Sequence, residues 1–475
     1  MTVIFRLSDG TTTVDLQTTT GPELLAEYLP AFATPTGDGT IPPYITEAIP
    51  VLVRIASDDG LASTLQDIAR LGQQAALYTA NRHQTPVWLS RKLTGETGGT
   101  ATGVRHLVRD VSFTPNAEFG GLFDVGPAIT DGRIGVLSVT HHPYGEATTA
   151  VAASGTDSVS VLGGAVNYTD VTGDVPARLY YLNVDDMANA TTIYQIWAGF
   201  RSDAQAGGDA SLVNSLWEVE AGTPGTDASE TTDATASPGG AGNTKTRVTF
   251  ATQTGWFDRA SILMSDETAN ESAQTGAFVV LLRAKVNQGT AQIKLRQLGV
   301  AAGVYRDGPV VDVAATSWTL YNLGTVEFPI RDLHAVPIAL FADSYDQTDR
   351  LQIWGRVKPG SASTPDETDL DCLILIPCDE YFIHLQTATG SMTDDDIMVF
   401  VAPEDVPQAI NVDDTSNYFN NACPVSTIGA GIPVGDGRLF VATANDDSGA
   451  APGITATVNV ELSYYPRWVH FRGSE

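Results

Sequence analysis

The sequence is poor in cysteine and contains no long apolar run. Cys372, Cys378 and Cys423 are the only cysteines in 475 residues, which is too few for a disulfide framework. No stretch of about 18 apolar residues occurs, so no membrane-spanning helix is predicted. The first residues lack a charged region followed by an apolar segment, so no secretory signal is expected there. The sequence therefore predicts a protein without a membrane partner.

Positive charge is also scarce. The chain carries 26 Lys and Arg against 56 Asp and Glu, which gives a formal net charge of −30. Because so acidic a surface repels phosphates, no nucleic-acid partner is expected. Only five of the basic residues are lysine. Scarce lysine with abundant carboxylates is typical of a halophilic protein kept soluble in high salt; the alternative is a GC-rich genome and an ordinary acidic surface.

Patterns for catalysis or metal binding are missing as well. No Ser-His-Asp order, Cys-His pair or phosphate-binding loop stands out, so no enzyme, catalytic residue or cofactor is predicted. Paired carboxylates for glycoside hydrolysis remain an alternative in so acidic a chain. His141 and His142 are predicted to lie in a surface turn rather than to bind a metal, because neighbouring strand residues point to opposite faces. The acidic runs Asp394–Asp396 and Asp413–Asp414 are predicted to be solvated loops rather than calcium sites.

One stretch near the start has a clear pattern of strand, helix and hairpin. The apolar run from Ile49 to Ile55 predicts a strand. From Leu61 to Ala80, apolar residues recur at helical spacing, which predicts the single amphipathic helix of the chain. Val87–Leu89 then begins a strand, and Val104–Phe113 returns as a second strand after a Gly- and Thr-rich turn. This stretch predicts one helix packed on a sheet.

The rest of the chain alternates with period two between regular turn signals, which favours a β-sandwich or jelly roll. We predict a mainly β protein, with a strand–helix–β-hairpin domain in residues 1–150 and a sandwich in residues 151–390. Residues 391–475 are expected to complete the sandwich or to pack back on the first domain. The segment Gly222–Asn243 is rich in small and polar residues and is predicted to be a mobile surface loop.

The tryptophans are the best candidates for binding sugars. Most of them lie in alternating apolar runs, where packing in the core is expected: Trp197, Trp217, Trp318 and Trp354. Trp256 lies between Gly255 and Phe257, outside such a run. It is therefore the predicted residue for stacking on a glycan.

The outer face of the predicted helix is polar but carries little charge. Its residues are Ser63, Gln66, Asp67, Arg70, Gln73 and Gln74. Such a face is suited to packing against a neighbouring subunit, and we predict Ser63, Gln66, Arg70, Gln73 and Gln74 as interface residues. Plain exposure to solvent is the alternative.

Several segments of the sequence also follow one another in an order that is known from one protein family. They are the helix Leu61–Ala80 followed by Thr85–Leu89, then Lys92–Thr97 with Arg105–Asp110, then Val136–Tyr144, and finally Ile374–Pro377 with Tyr465–Trp468. In this order, the chain resembles the distal tail (Dit-like) proteins of tailed, siphovirus-type viruses. The resemblance covers most of the chain.

That resemblance implies a structural virion protein of a bacteriophage or an archaeal virus. Such proteins form a ring, usually hexameric, at the distal tail or baseplate, where it joins the tail tube to the tip. Their N-terminal modules form the ring, and their galectin-like or carbohydrate-binding-module-like C-terminal modules point outward. The implied partners are further copies of the chain and the tail tube and tip proteins, and the implied location is the virion, after synthesis in the host cytoplasm. The alternatives are a host-glycan-binding adhesin and a capsid decoration or turret protein.

Overall fold

The computed structural model describes residues 3–15, 22–24, 44–54, 58–81, 85–93, 105–115, 132–147, 150–155, 158–160, 162–185, 194–202, 216–236, 244–249, 255–263, 276–298, 305–328, 350–361, 367–379, 381–386, 397–400, 408–411, 421–422, 431–445, 449–451 and 457–468. These residues form one α-helix and several antiparallel sheets, so the predicted mainly β fold is confirmed. In the part of the chain described, the helix lacks the long apolar stretch needed to cross a membrane.

The chain divides into two compact units. Unit 1 comprises Met1–Val151, Gly173–Val175 and Tyr465–Glu475, and unit 2 comprises Ala152–Thr172 and Pro176–Tyr464. The sequence boundary near residue 150 lies close to the change of unit after Val151. The predicted third segment, 391–475, is divided between the two units.

Unit 1 follows the predicted order of strand, helix and hairpin. Its elements are β1 (Val3–Ser8), β2 (Thr13–Asp15), β3 (Pro22–Leu24), β4 (Ile45–Arg54), α1 (Asp58–Asn81), β5 (Val87–Leu93), β6 (Arg105–Pro115), β7 (Gly132–His141) and β8 (Gly145–Glu146). The strands pair in the order β2-β1-β5-β6-β7-β4-β3, with every neighbour antiparallel. The pairing of β5 with β6 forms the predicted hairpin, with Val87 opposite Val108.

Helix α1 packs on this sheet through residues at helical spacing. Ile68, Leu71, Ala75 and Tyr78 are buried, as a stripe at positions i, i+3, i+7 and i+10 requires. Gly72 lies on the same side, and a Cβ placed there would clash with the carbonyl oxygen of Val111 on β6. The absence of a side chain at Gly72 therefore allows the helix to approach the sheet closely.

His141 differs from its prediction as part of a surface turn. It is the last residue of β7 and is fully buried. Strand β7 pairs with β4 at this point, and the His141 Nε2 atom lies 2.9 Å from Oε1 of the buried Glu47. Because Glu47 lies on the paired strand, it provides the polar partner that a buried imidazole needs. The sequence could not reveal a partner 94 residues away.

Among the described residues, unit 2 contains the remaining strands and a 3₁₀ turn at Val219–Ala221. The strands are β9 (Val151–Ala152), β10 (Ser154–Gly155), β11 (Ser158–Ser160), β12 (Gly164–Val171), β13 (Val175–Asp185), β14 (Gln195–Ser202), β15 (Leu216–Glu218), β16 (Thr223–Pro224), β17 (Ala228–Thr232), β18 (Thr244–Thr249), β19 (Phe257–Leu263), β20 (Gly276–Val286), β21 (Ala291–Leu298), β22 (Tyr305–Asp307), β23 (Val311–Val313), β24 (Thr319–Phe328), β25 (Arg350–Val357), β26 (Glu367–Pro377), β27 (Tyr381–Gln386), β28 (Ile397–Phe400), β29 (Gln408–Asn411), β30 (Asn421–Ala422), β31 (Gly435–Ala444) and β32 (Thr457–Trp468). A few residues at the ends of β9, β13 and β32 belong to unit 1.

Three sheets form most of unit 2. Sheet II has the order β10-β12-β31-β14-β27-β30. Sheet III has the order β17-β18-β26-β20-β24, with β15 also paired to β26. Sheet IV has the order β16-β19-β25-β21-β22, with β23 also paired to β21. Strand β31, from the predicted C-terminal segment 391–475, therefore lies inside sheet II, between β12 and β14.

Sheet III lies in the core of this unit. Its central strands β20 and β26 are buried almost throughout, which requires cover on both faces of the sheet. Sheets II and IV both contact it. Sheet II approaches very closely at Gly199, where a Cβ would clash with the carbonyl oxygen of Pro377. The layers of antiparallel sheet over a shared apolar core confirm the predicted β-sandwich.

The segment Gly222–Asn243 also differs from its prediction as a mobile loop. Residues 222–236 include strands β16 and β17, which pair with β19 and β18; residues 237–243 lie outside the described part of the chain. Asp233 follows β17, and its Oδ2 atom accepts a hydrogen bond from Lys245 Nζ at 2.8 Å. Side-chain bonds of this kind fix a segment whose composition alone favours a loop.

Candidate functional site: the outer face of sheet IV

The candidate site is built by two neighbouring strands of sheet IV that alternate buried and half-buried residues. On β21 the buried residues are Ala291, Ile293, Leu295 and Gln297, and on β25 they are Leu351, Ile353, Gly355 and Val357. The residues between them point to the opposite face, because strand side chains alternate. The pairing register sets Lys294 opposite Trp354, Gln292 opposite Arg356 and Arg296 opposite Gln352.

Aromatic side chains from three segments lie against the basic residues of this face. Trp256 precedes β19, Tyr305 begins β22, and Trp354 lies on β25. We call these three residues, with Lys294, Arg296 and Arg356, the aromatic face. Five of its members are half-buried, whereas Tyr305 is 48% exposed.

Each aromatic ring of this face contacts a cation. The Trp256 ring centroid lies 4.8 Å from Lys294 Nζ and 4.6 Å from Arg356 Cζ. Arg296 Cζ lies 3.7 Å from the Tyr305 centroid and 4.0 Å from the Trp354 centroid. At these distances the ring quadrupole attracts the cation. The contacts hold the rings in place, as a preorganised binding surface requires.

Amide side chains connect the members of the face. Trp354 Nε1 donates to Gln352 Oε1 at 2.9 Å, and Gln352 Nε2 donates to Asp258 Oδ2 at 2.9 Å. Arg356 Nε donates to Gln292 Oε1, also at 2.9 Å. Each bond removes rotational freedom from a side chain before any ligand binds, which lowers the entropy cost of binding.

Two carboxylates at the edge of the face are paired with cations. Asp307 accepts a bond from Arg296 Nε at 2.6 Å and also pairs with Lys294. The Arg296 hydrogen bond holds the pKa of Asp307 below its usual range. Asp312 pairs with Lys358, whose hydrogen bond lowers the pKa of Asp312. Both carboxylates therefore remain ionised at neutral pH.

This arrangement fits the recognition of a carbohydrate. A sugar ring presents an apolar C–H face that packs on an aromatic ring, and a rim of hydroxyls that need hydrogen-bonding partners. The aromatic face offers three rings beside amide, guanidinium and carboxylate groups. Among the described residues, no cluster of three or more His, Cys, Asp or Glu is arranged to hold a metal ion.

The predicted glycan residue Trp256 lies on this face, and its role in binding stays a prediction. Trp197, Trp217 and Trp318 are buried, as predicted. The core position predicted for Trp354 is wrong, because its ring lies on the outer face of sheet IV. The sequence did contain evidence for this position. Trp354 is two residues from both Gln352 and Arg356, so in a strand its side chain points to the same face as these polar residues and away from Leu351 and Ile353. Sequence reasoning missed Tyr305, which lies in a three-residue edge strand.

The predicted interface residues lie on helix α1 of unit 1. Ser63, Gln66, Arg70 and Gln73 are exposed. Gln74 is half-buried, and its Nε2 donates to the carbonyl oxygen of Thr85 at 3.0 Å. Leu77 is 37% exposed and continues the stripe formed by Gln66, Arg70 and Gln73. A role of these residues in subunit contacts stays a prediction.

A second cluster of aromatic and charged residues lies on sheet III. Trp318 is 8% exposed, and its ring centroid lies 4.6 Å from Arg283 Cζ and 4.2 Å from Lys285 Nζ. Its Nε1 atom donates to Thr235 Oγ1 at 2.9 Å. We call this the Trp318 cluster, comprising Trp318, Arg283, Lys285, Lys245, Thr235, Asp233, Asp369 and Asp371.

The cations of the Trp318 cluster are paired with buried or half-buried carboxylates. Lys245 bonds Asp233 and Asp369, and Arg283 bonds Asp371. Burial alone would raise the pKa of Asp233, but hydrogen bonds from Lys245, Thr235 and Lys285 outweigh it and hold that pKa well below its usual range. The charges satisfy one another, so this cluster serves the fold.

No protein-family model and no curated protein matches the chain. One solved structure to which it is similar is the N-terminal CBM22-1-CBM22-2 tandem domain of Xyn10C from Paenibacillus barcinonensis, with 12% sequence identity. The match covers 53% of this chain and 96% of that chain, with a TM-score of 0.20. A TM-score of this size is too low to indicate a shared fold.

Proposed function

We propose that this protein binds glycans through the aromatic face of sheet IV. The observation that carries the proposal is the grouping of Trp256, Tyr305 and Trp354 on one half-exposed sheet face. In this role, the rings pack against the sugar, and Gln292 and Gln352 bond its hydroxyls. Recognition rather than hydrolysis is the proposed activity.

A glycan array with the purified full chain tests this function. Binding to a defined set of oligosaccharides is expected, followed by measurement of affinity in solution by calorimetry. Trp354→Ala and Tyr305→Ala should each weaken binding by about tenfold or more, because interfacial aromatic residues commonly contribute over ~1 kcal/mol each. Absence of binding across the array would contradict the proposal.

Phe257→Ala is the matched control for these variants. Phe257 is 39% exposed and lies on β19 beside the site. Its register partner is the inward-facing Gly355, so its side chain points away from the aromatic face. Its removal should leave the affinity unchanged. Equal losses in all three variants would mean that the aromatic face is not the binding surface.

A second proposed role concerns unit 1. We propose that it assembles with copies of itself as part of a viral tail ring, as the family resemblance implies. The exposed stripe of α1 formed by Gln66, Arg70, Gln73 and Leu77 supports this proposal. Arg70 is its one charged residue and Leu77 its one apolar residue, although the chain as a whole has a net charge of −30. A ring joins two different patches of each subunit, and a nearly uncharged stripe minimises repulsion between copies.

Native mass spectrometry of the full chain, with light scattering in high and low salt, tests the assembly. A closed oligomer is expected, and Leu77→Glu should dissociate it, because the substitution places a charge within the contact. Ser229→Glu, at an exposed position of β17 in unit 2, is the control for added charge. A monomer at all concentrations would contradict a ring formed by this chain alone.

A further inference from the structure

The outer face of sheet IV differs in charge from the chain as a whole. Its described charged side chains comprise four basic residues and three acidic ones: Lys294, Arg296, Arg356 and Lys358 against Asp258, Asp307 and Asp312. In the whole chain, acidic residues outnumber basic residues by 56 to 26. Two of the five lysines of the chain therefore lie on this one face. By this count of described charges, the face is less unfavourable to an anion than the chain as a whole.

Among the described cations of this face, Arg356 is the one for which no described carboxylate is a salt-bridge partner. Lys294 and Arg296 pair with Asp307, and Lys358 pairs with Asp312. The Nε atom of Arg356 bonds the neutral Gln292 side chain, and no described carboxylate forms a salt bridge with its guanidinium group. The two terminal nitrogens form the end of the guanidinium fork that fits a carboxylate.

The position of Arg356 beside an aromatic ring suits a charged sugar. Its Cζ atom lies 4.6 Å from the Trp256 ring centroid. In a uronic acid, the carboxylate is attached directly to the pyranose ring, so the cation that pairs with it must lie close to the aromatic ring that contacts the sugar. Trp256 and Arg356 meet that requirement. A neutral sugar would leave the guanidinium group without its best partner.

We propose that the ligand class is an acidic glycan whose sugar carboxylate pairs with Arg356, an inference that rests on the proposed glycan-binding function. Trp256, Trp354 and Tyr305 provide the stacking surface in this arrangement, and Arg356 determines specificity for the acid. The pairing involves no covalent step.

Binding of uronate oligosaccharides and their methyl esters tests the ligand class. Short oligomers of galacturonate, glucuronate and mannuronate are titrated into the full chain, each against its fully methyl-esterified form, which keeps the ring but removes the charge. At least one acid should bind about tenfold more tightly than its ester, as expected for one charge-assisted hydrogen bond. This preference should shrink as added salt screens the charges.

Equal affinity for acid and ester would overturn the acidic-glycan inference while leaving glycan binding intact. Neutral glycans binding on the array, with no uronate oligomer binding, would do the same. Absence of binding to any glycan would instead overturn the proposed function, and the inference with it. The two failures are therefore distinguishable.

Substitution of Arg356 tests its role in specificity. Arg356→Gln should abolish the preference for acid over ester, and Arg356→Lys should retain part of it, because lysine keeps the charge but loses the fork. Arg306→Gln is the matched control, since Arg306 lies on β22 opposite the inward-facing Gln297 and points away from the face. An equal loss of preference in Arg306→Gln would overturn the assignment to Arg356. So would an unchanged preference in Arg356→Gln.

Discussion

Trp318 and Trp354 have similar contacts but different surroundings. Each ring lies against an arginine, Arg283 at 4.6 Å from the Trp318 centroid and Arg296 at 4.0 Å from the Trp354 centroid. Each indole N–H donates to a polar side chain at 2.9 Å. Trp318 directly precedes β24 of sheet III and is buried, whereas Trp354 is half-buried on the outer face of sheet IV.

The different burial of these two clusters gives the same types of contact different consequences for stability and binding. In the Trp318 cluster, removal from water makes each unpaired charge costly, and the cations are paired with carboxylates. The residues of the aromatic face are partly exposed, so a charge such as that of Arg356 can remain solvated without a carboxylate partner. A surface charge of this kind can exchange water for a ligand. We therefore expect substitutions in the Trp318 cluster to change stability and substitutions on the aromatic face to change binding.

The largest expected difference concerns the removal of a carboxylate. Asp371→Asn leaves the buried Arg283 guanidinium without its counter-charge, and the free energy of unfolding should fall by about 3–5 kcal/mol. Urea denaturation followed by tryptophan fluorescence measures the loss. Asp307→Asn is the control on the aromatic face and should cost about 1 kcal/mol or less, because water reaches its partners. Similar costs for the two variants would remove the distinction between the clusters.

A smaller difference is expected when the indole N–H group is removed. Trp318→Phe keeps an aromatic ring but leaves Thr235 Oγ1 without its donor. The expected cost is about 1–3 kcal/mol, since an unsatisfied buried group loses its solvation as well as its bond. Trp354→Phe should cost less than about 0.5 kcal/mol, because water replaces the donor to Gln352. The measurement is the denaturant concentration at the unfolding midpoint, compared between variants whose denaturant dependence (m-value) is unchanged. A larger loss of stability in Trp354→Phe than in Trp318→Phe would contradict the comparison.

The pH dependence of stability provides a third difference. Burial acts against ionisation of Asp233, but hydrogen bonds from Lys245, Thr235 and Lys285 hold its pKa well below the usual range. Since the folded-state pKa is depressed, its stabilising contribution is present above the unfolded value of about 4 and is lost as pH falls towards the folded value. Between about pH 4.5 and about pH 2.5, a range that brackets the unfolded-state pKa of about 4, the melting temperature of the wild type should fall more than that of Asp233→Asn.

A buffer series of melting curves for the two proteins provides this measurement. Glu230→Gln is the control, because Glu230 is an exposed acid on the neighbouring strand β17. Its pH dependence should follow that of the wild type. Parallel curves for the wild type and Asp233→Asn would show that the hydrogen bonds to Asp233 do not contribute to acid stability.

The sequence predicts elements whose signal is local. Helix α1 follows from the spacing of Leu71, Ala75 and Tyr78, because one apolar stripe is sufficient to define a helix that packs on a sheet. The strands of the sandwich follow from period-two alternation in the same way. The candidate site depends instead on which strands pair. Arg296 meets Tyr305 and Trp354 only because β21 has β22 on one side and β25 on the other.

Long-range pairing also explains the predictions that differ from the structure. His141 is polar in sequence but buried, because Glu47 on a paired strand bonds its ring. Asp233 belongs to a segment whose composition predicts a loop, yet Lys245 and Lys285 bind it from two other parts of the chain. Burial of a polar residue depends on partners distant in sequence, and no local pattern records them.

The smallest expected effect concerns the exposed pair of Lys358 and Asp312 at the edge of the aromatic face. Their side chains are 41% and 42% exposed, so a double-mutant cycle with Lys358→Gln and Asp312→Asn should give a coupling energy below about 0.5 kcal/mol. In 1 M salt this coupling should vanish, because the Debye length falls to about 3 Å. The corresponding cycle for the buried pair, with Arg283→Gln and Asp371→Asn, should keep most of its coupling in salt. Coupling that persists in about 1 M salt would show that the pair of Lys358 and Asp312 is shielded from solvent. That result would contradict the proposal that this face is accessible to a glycan.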